Sequence, residues 1–196
     1  MKLSTCFVLC CTLLSACAGP APVSASFDLG QLPPATPTRL QASWKINDIS
    51  APAALDSPQL LYRLSYAQAQ QALPYAHSRW SMPPAQLLTQ RLKSRMASAG
   101  ALVAGGNDGL QTRATLRLEL EEFVHDFSTP QQSVARLRWR ASVSVGRQLL
   151  AQRSFVHEQP ASSADAAGGT RALAAVSDSA IDALLQWLQQ QESRLP

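Results

Sequence analysis

Cysteine is absent from most of this chain. All four cysteines lie within the first 17 of the 196 residues, and none follows Cys17. A domain folded from the remaining residues therefore has no disulfide framework, no cysteine-ligated zinc and no cysteine nucleophile. The three histidines (His77, His125 and His157) are isolated, with neither HxxxH nor HExxH spacing. We therefore expect neither a metal site nor a cofactor.

Other features of enzymes and membrane-spanning proteins are also missing. The sequence has no G-x-S-x-G nucleophile elbow, and its glycine cluster at 105–109 lacks the lysine and hydroxyl residue of a phosphate-binding loop. No apolar stretch approaches the ~18 residues of a spanning helix. The net charge of +4 is small and the basic residues are scattered, which argues against nucleic-acid binding. These absences favour one globular domain that is not an enzyme.

The N-terminus has the pattern of a bacterial lipoprotein signal. Met1-Lys2 provides a positive start, residues 7–14 are mostly apolar, and Leu14-Ser15-Ala16 precedes Cys17. A charged start, a short apolar core and small residues at a cleavage site are typical of a secretory signal. The last four residues resemble the lipobox, whose cysteine is acylated and becomes the new N-terminus. We predict a signal peptide at 1–16 and a lipid anchor on Cys17.

The residues after the anchor indicate its destination and the domain boundaries. Ala18 stands where enterobacterial lipoproteins of the inner membrane have aspartate, and this resemblance implies the periplasmic face of the outer membrane. Residues 17–26 are small, uncharged and proline-containing, so we predict a flexible tether. One domain should occupy 27–190. A polar tail at 191–196 should follow, with fraying from Gln189 onward.

Hydrophobic periodicity predicts an α+β fold. Apolar residues in short alternating runs predict strands at 26–29, 40–46, 60–64 and 148–158. After Pro83, apolar residues recur every three or four positions up to Ala99, which predicts a helix capped by Gly100. A small-residue loop at 161–169 precedes a second long helix. We expect a small antiparallel or mixed sheet with both main helices packed on one face.

The clearest pattern is a β-hairpin around Ser128-Thr129-Pro130. Apolar and polar residues alternate on both sides of this turn, so each strand has one apolar and one polar face. The expected register pairs Leu118 with Trp139, Leu120 with Leu137, Glu119 with Arg138, and Glu121 with Arg136. The basic run at 136–140 is then a solvated strand face and not a phosphate-binding patch. The alternation changes phase at Glu121-Glu122, which predicts a β-bulge.

Several segments, taken in order, resemble the ABC-type transport auxiliary lipoprotein family, which includes the paraquat-inducible protein C-like lipoproteins. The matching segments are ISAPAALDSPQLLYR at 49–63, RWSMPP at 79–84, L-x-L-x-L-E-x-F at 116–123, RxRWRASV at 136–143 and LAQRSF at 150–155. With the last helix, the similarity covers most of residues 26–188. The Gln- and Ala-rich stretch at 65–78 departs from the family pattern, which leaves any partner contact there open.

The resemblance implies a fold, a function and partners. Family members have a small α/β domain and are periplasm-facing lipoproteins that accompany ABC transporters and mammalian-cell-entry proteins in lipid traffic between membranes. We therefore expect a non-enzymatic auxiliary component that docks on such a protein. The alternatives are a lipid-binding lipoprotein and an outer-membrane assembly lipoprotein, and a homo-oligomer stays open. The candidate contacts are Tyr62, Tyr66, Tyr75 and Trp80; Tyr62 and Trp80 could equally complete the core.

Overall fold

The computed structural model of the chain describes residues 24–34, 37–109 and 111–195. The predicted lipobox, Cys17 and most of the predicted tether lie outside these residues. In the described part of the chain, no helix has both the length and the hydropathy needed to cross a membrane.

Within these residues the domain consists of eight strands and three helices. The strands are β1 (Ala25–Phe27), β2 (Ser43–Ile46), β3 (Gln59–Leu64), β4 (Ala72–Trp80), β5 (Leu102–Gly105), β6 (Ala114–Phe127), β7 (Ser133–Val145) and β8 (Gln148–Pro160). The helices are α1 (Ser65–Gln68), α2 (Pro84–Ser98) and α3 (Ala166–Glu192), and a short 3-10 turn covers Ala53–Leu55. Helix α2 starts with a proline, whose missing N–H group needs no partner in the first turn. It ends before Gly100, which adopts φ +97°.

Strand β6 organises one curled mixed sheet. One of its edges pairs antiparallel with β7 along almost its whole length, and β7 pairs in the same way with β8. Two strands share the opposite edge of β6. Strand β3 pairs in parallel with the last residues of β6, and β2 pairs in parallel with the first residues of β6. Between them, Ser50 bridges to the backbone beside Glu119. Strands β4 and β1 extend the sheet from β3, and β5 extends it from β2.

The α+β class is as predicted, but the sheet is larger than the small sheet expected. Strand β4 lies in the stretch for which no strand was predicted. It contains Pro74, and most of its side chains are exposed or half-buried, so apolar alternation is weak. Strand β5 is four residues long and lies beside a glycine pair. Both strands form because their neighbours offer backbone partners, a non-local cause that periodicity does not show.

The hairpin of β6 and β7 has the predicted faces but not the predicted register. Leu118 lies opposite Ala141, Leu120 opposite Trp139, and Glu119 opposite Arg140. The predicted register is therefore wrong by two residues before the bulge and by three beyond it, and the side chains keep their faces because the bulge takes up the odd residue. The physical reason is the longer loop, since Ser128 and Thr129 both donate their N–H groups to the carbonyl of Gln132. The predicted bulge is confirmed between Leu120 and Glu122.

One hydrophobic core joins the sheet to both long helices. Helix α3 packs against β6, β7 and β8, and its apolar stripe is buried against Trp139, which is fully buried. The stripe consists of Leu173, Val176, Ala180, Ile181, Leu184 and Leu188. Helix α2 contributes Leu88, Leu92 and Met96, all fully buried. That both helices pack on one face of the sheet stays a prediction.

Both predicted boundaries of the last helix are wrong. The loop expected at 161–169 ends earlier, because Asp165 caps α3 by accepting the N–H of Gly168 at 2.7 Å. At the other end α3 continues to Glu192 and Leu195 is buried, whereas fraying of the tail stays a prediction. The Glu192 carboxylate accepts hydrogen bonds from Gln41, Ala42 and Trp44. Glu192, which belongs to the predicted polar tail, is therefore part of the packing.

Candidate functional site

An aromatic cluster lies at the end of β6 where it meets β3. We use this name for Tyr62 of β3, Tyr75 of β4, and His125 and Phe127 of β6. The ring centroids of Tyr62 and Tyr75 are 4.8 Å apart, and those of His125 and Phe127 are 4.4 Å apart. Tyr62 also meets Phe127 edge-on at 6.3 Å. Such tilted and edge-on contacts are the preferred geometries of aromatic pairs, so the cluster connects three strands through side chains.

His125 is the polar centre of the cluster. It is fully buried, and its Nδ1 lies 2.8 Å from the hydroxyl oxygen of Tyr75, while its Nε2 lies 2.7 Å from the hydroxyl oxygen of Ser133. Burial lowers the pKa of His125 from its usual value, against the opposing effect of the nearby Asp165 and Asp126 carboxylates. The imidazole is therefore neutral at neutral pH, with one ring nitrogen as donor and the other as acceptor.

Burial also acts on the tyrosine partner of this histidine. It raises the pKa of Tyr75 above its ordinary value, and the negative charge of Asp165 and the neighbouring Tyr62 act in the same direction. Tyr75 therefore keeps its proton throughout the physiological range. The Tyr75–His125–Ser133 chain is a neutral hydrogen-bonded network whose direction is set by the histidine tautomer.

The start of α3 lies directly against this histidine. A Cβ atom added to Gly169 would lie 2.3 Å from His125 Nδ1, so only glycine fits between the helix backbone and the ring. The carboxylate of Asp165 has a lowered pKa because it accepts hydrogen bonds from the Gly168 N–H and the Ser163 hydroxyl. Close packing and the charged cap together fix the helix against the aromatic cluster.

The network is suited to holding side chains in place more than to catalysis. A serine beside a histidine can form a nucleophile pair, but the pair needs access to a substrate. Ser133 is 8% exposed and His125 is fully buried. The surface grooves beside β1, beside β5 and beside the 50–55 loop are lined by other residues.

The four predicted contact residues lie in three different environments. Tyr62 and Tyr75 are half-buried and touch each other in the aromatic cluster. Tyr66 is 48% exposed on α1, the short helix that directly follows β3. Trp80, at the other end of β4, is 1% exposed and packs against Phe123 with ring centroids 5.6 Å apart. Trp80 thus fits the alternative that it completes the core.

Helix α1 is tied to the sheet beneath it. Ser65 donates its hydroxyl to Asp126 at 2.5 Å, and Arg136 of β7 lies 3.5 Å from the same carboxylate. Asp126 is 4% exposed, so Arg136 compensates its buried charge while Ser65 provides a hydrogen bond. The exposed Tyr66 is therefore carried by a short helix whose first residue is fixed.

Ion pairs between arginine and carboxylate side chains cover the polar face of β6 and β7. Glu122 is paired with Arg63 at 2.5 Å and with Arg138 at 3.2 Å, and Arg140 pairs with Glu119. Arg136 also pairs with Glu158 of β8. Because the arginines of the basic run are matched by carboxylates, this face has no surplus of positive charge for a phosphate backbone.

Sequence reasoning missed most of the buried polar residues of this site. His125 lies between Phe123 and Phe127 at the same alternating positions of the strand. A histidine at such a position indicates a buried ring, and it is the one signal that the sequence offers for this site. Nothing local distinguishes Ser133 or Gly169. In the described ranges, no group of three or more His, Cys, Asp or Glu side chains is arranged to hold a metal ion.

The fold and the site define a class of α+β domain with one hydrophobic core, an aromatic cluster and an exposed tyrosine beside it. A family model described as the ABC-type transport auxiliary lipoprotein component matches residues 27–185. The chain therefore belongs to this family, whose description indicates an auxiliary and not a catalytic component of ABC-type transport. No curated protein matches the chain.

Solved structures show the same fold. The protein XCC0632 from Xanthomonas campestris, a DUF330 protein, is 18% identical, with a TM-score of 0.71 over 88% of this chain and 96% of that one. An uncharacterised protein is 16% identical, with a TM-score of 0.64 over 85% of this chain and 99% of the other. At these identities the likeness concerns the fold alone.

Proposed function

We propose that this protein is a lipoprotein on the periplasmic face of the outer membrane. In this proposal it is a non-enzymatic auxiliary component of an intermembrane lipid transport system, whose other parts are an ABC transporter and a mammalian-cell-entry protein. The family match over 27–185 carries the proposal, because it spans the domain from β1 into the last turns of α3. The lipobox ending at Cys17 supports the membrane anchor, and Ala18 supports the outer membrane.

The exposed tyrosine is the best-supported contact with a protein partner. Tyrosines are enriched at protein interfaces because they offer a large apolar area and a hydroxyl group. Tyr66 is 48% exposed, and its helix is fixed by the Ser65–Asp126 hydrogen bond. Tyr62 on β3 and Tyr75 on β4 are half-buried, so part of each side chain is also accessible to a partner. A partner that binds at α1 would therefore meet a rigid surface, which reduces the entropy lost on binding.

The anchor is tested by fractionation. Cys17→Ser should release the protein from membranes or leave the signal peptide uncleaved, because the acylated atom is missing. The measurement is the mass of the chain and its distribution between the membrane and soluble fractions, with Ser15→Ala as the control that keeps a small residue in the lipobox. Normal mass and normal fractionation of Cys17→Ser would overturn the anchor.

The contact surface is tested by co-purification after crosslinking. Tyr66→Ala should reduce recovery of the mammalian-cell-entry protein at least fivefold while the melting temperature stays unchanged. Leu149→Ala is the matched control, because Leu149 is 58% exposed on β8. Equal recovery with both variants would place the docking surface elsewhere. Recovery of an outer-membrane barrel, or of bound lipid with no protein, would favour one of the alternative functions.

A further inference from the structure

Two buried arginines connect the long helices. Arg91 and Arg95 lie one turn apart on α2 and are 6% and 2% exposed. Arg91 donates from Nε and Nη2 to the two carboxylate oxygens of Asp178 on α3, at 2.7 and 2.8 Å. Arg95 pairs with Asp182, one turn further along α3. We call these two ion pairs the arginine ladder; they fix the direction in which both guanidinium groups point.

Other donors of the arginine ladder point at the start of the domain. We call residues 25–34, which comprise β1 and the stretch after it, the N-terminal arm. The acceptors are the carbonyl oxygens of Gly30 and Gln31 for Arg91, both at 3.1 Å, and of Pro33 and Pro34 for Arg95, at 3.3 and 2.8 Å. These carbonyls lie on both sides of Leu32, whose side chain is 47% exposed.

The chemistry of the ladder suits a permanent attachment. A guanidinium group stays charged and has donors in a fixed fork, so it can bind a carboxylate and carbonyl oxygens at the same time. Hydrogen bonds from a charged donor belong to the stronger class. Pro33 and Pro34 have restricted φ angles, which reduces the entropy lost when their carbonyls are held. The arm is therefore gripped through its backbone by two charged side chains.

The rest of the arm is held by neutral contacts, which include the hydrogen bond from the Ser81 N–H to the Phe27 carbonyl at 2.7 Å. Strand β1 has three residues, pairs only with β4 in the described part of the sheet, and exposes Ala25 and Ser26. Phe27 is half-buried, and Leu29 is 5% exposed. Short edge strands are weak without further contacts. We infer that the ladder provides the main attachment of the arm.

We propose that Arg91 and Arg95 are positioning residues for the membrane anchor: by gripping the N-terminal arm they limit the free tether to residues 18–24 and hold the domain close to the membrane. This inference rests on the proposed lipidation of Cys17. A tether of seven residues with the flexibility that the sequence predicts would reach about 13–16 Å as a random coil. If the arm is released as far as the buried Thr38, residues 18–37 become free and reach about 22–27 Å. The ladder thus changes the reach about 1.7-fold.

The test removes the charges of the ladder in pairs. In one chain, Arg91→Gln is combined with Asp178→Asn and Arg95→Gln with Asp182→Asn, so that no buried charge loses its partner. Spin labels at Leu32→Cys and Leu102→Cys, both exposed positions, report the distance from the arm to the domain. In the lipidated chain in phospholipid vesicles, a dye at Leu102→Cys and an acceptor lipid report the separation from the membrane. Because the lipid blocks the thiol of Cys17, the labels react only with the introduced cysteines.

We expect the ladder variant to broaden the distribution of arm distances at least twofold and to increase the reach of the domain about 1.7-fold, with unchanged membrane fractionation. A wild-type chain with 13 Gly/Ser residues inserted after Pro20 is the control for tether length alone, and it should show the same longer reach with a narrow arm distance. If the ladder variant misfolds, Pro33→Gly with Pro34→Gly loosens the arm while the ladder stays intact, and the same broadening is expected.

Two results would overturn the inference, and they are distinguishable. Unchanged arm distances and unchanged separation in a folded ladder variant would overturn the positioning role and leave the lipid anchor standing. A wild-type chain that is absent from membranes would overturn the anchor and the positioning role together.

Discussion

Glu192, at the end of α3, provides a test of how the last helix is attached to the start of the domain. Glu192 accepts hydrogen bonds from the Ala42 N–H at 2.9 Å, the Gln41 N–H at 3.1 Å and the indole N–H of Trp44 at 3.1 Å. It thereby connects the last helix to the start of β2, about 150 residues earlier in the chain. Glu192→Ala removes all three acceptor contacts while leaving the helical backbone intact.

The magnitude follows from the burial of the donors. Ala42 is 2% exposed and Trp44 is fully buried, so water cannot easily replace the carboxylate there. Gln41 is exposed, and its N–H group can bind water. A buried donor left without a partner costs about 1–3 kcal/mol. Two such donors give an expected loss of about 2–6 kcal/mol in the free energy of unfolding, or about 4–24 °C in Tm for a domain of this size.

The assay is denaturant unfolding followed by circular dichroism and tryptophan fluorescence. Glu158→Ala is the matched control, because its carboxylate is 48% exposed and pairs only with a surface arginine among the described residues. We expect the control to lose less than about 1 kcal/mol. Glu192→Gln, which keeps an acceptor oxygen, should fall between the two. A Glu192→Ala loss as small as that of the control would refute the reasoning that the end of α3 is part of the packing.

Three further changes test the core and the site. Trp139→Ala should cost about 3–5 kcal/mol because the side chain is fully buried, whereas Arg138→Ala on the opposite face should cost under about 1 kcal/mol; denaturant melts in the reverse order would contradict the face assignment. Gly169→Ala should cost about 1–3 kcal/mol by pressing a methyl group on His125, and Gly109→Ala, which meets nothing within 4 Å, should be neutral in the same melts. The pKa values of His125 and His157 are both lowered by burial, so the unfolded state binds more protons below about pH 6.5 and stability should fall as the pH drops from 7 to 5. His125→Gln should reduce the slope of that pH profile relative to the wild type, and an unchanged slope would show that His125 contributes nothing to it.

Local patterns predicted those parts of the fold that depend on local chemistry. Helix α2 was visible because its apolar residues recur at helical spacing after Pro83 and end before Gly100. The faces of β6 and β7 and the bulge near Glu121 followed from alternation alone. These features depend on periods of 3.6 and 2, which a single sequence displays.

Pairings between distant residues were not predictable in this way. Arg91 and Asp178 are 87 residues apart, and nothing near either residue reveals the other. The register of the hairpin depended on how the loop after Phe127 closes. Glu192 was read as part of a solvated tail, because its partners lie at the opposite end of the chain. Tertiary contacts decided each of these features, and local propensity did not.

The most direct test of the proposed function is affinity purification of the wild-type protein from crosslinked membranes, followed by mass spectrometry. We predict that a mammalian-cell-entry protein and its ABC transporter are enriched at least tenfold over a purification of the Cys17→Ser variant. That control carries the same domain without the predicted anchor. Enrichment of neither protein would contradict the auxiliary transport function for this chain.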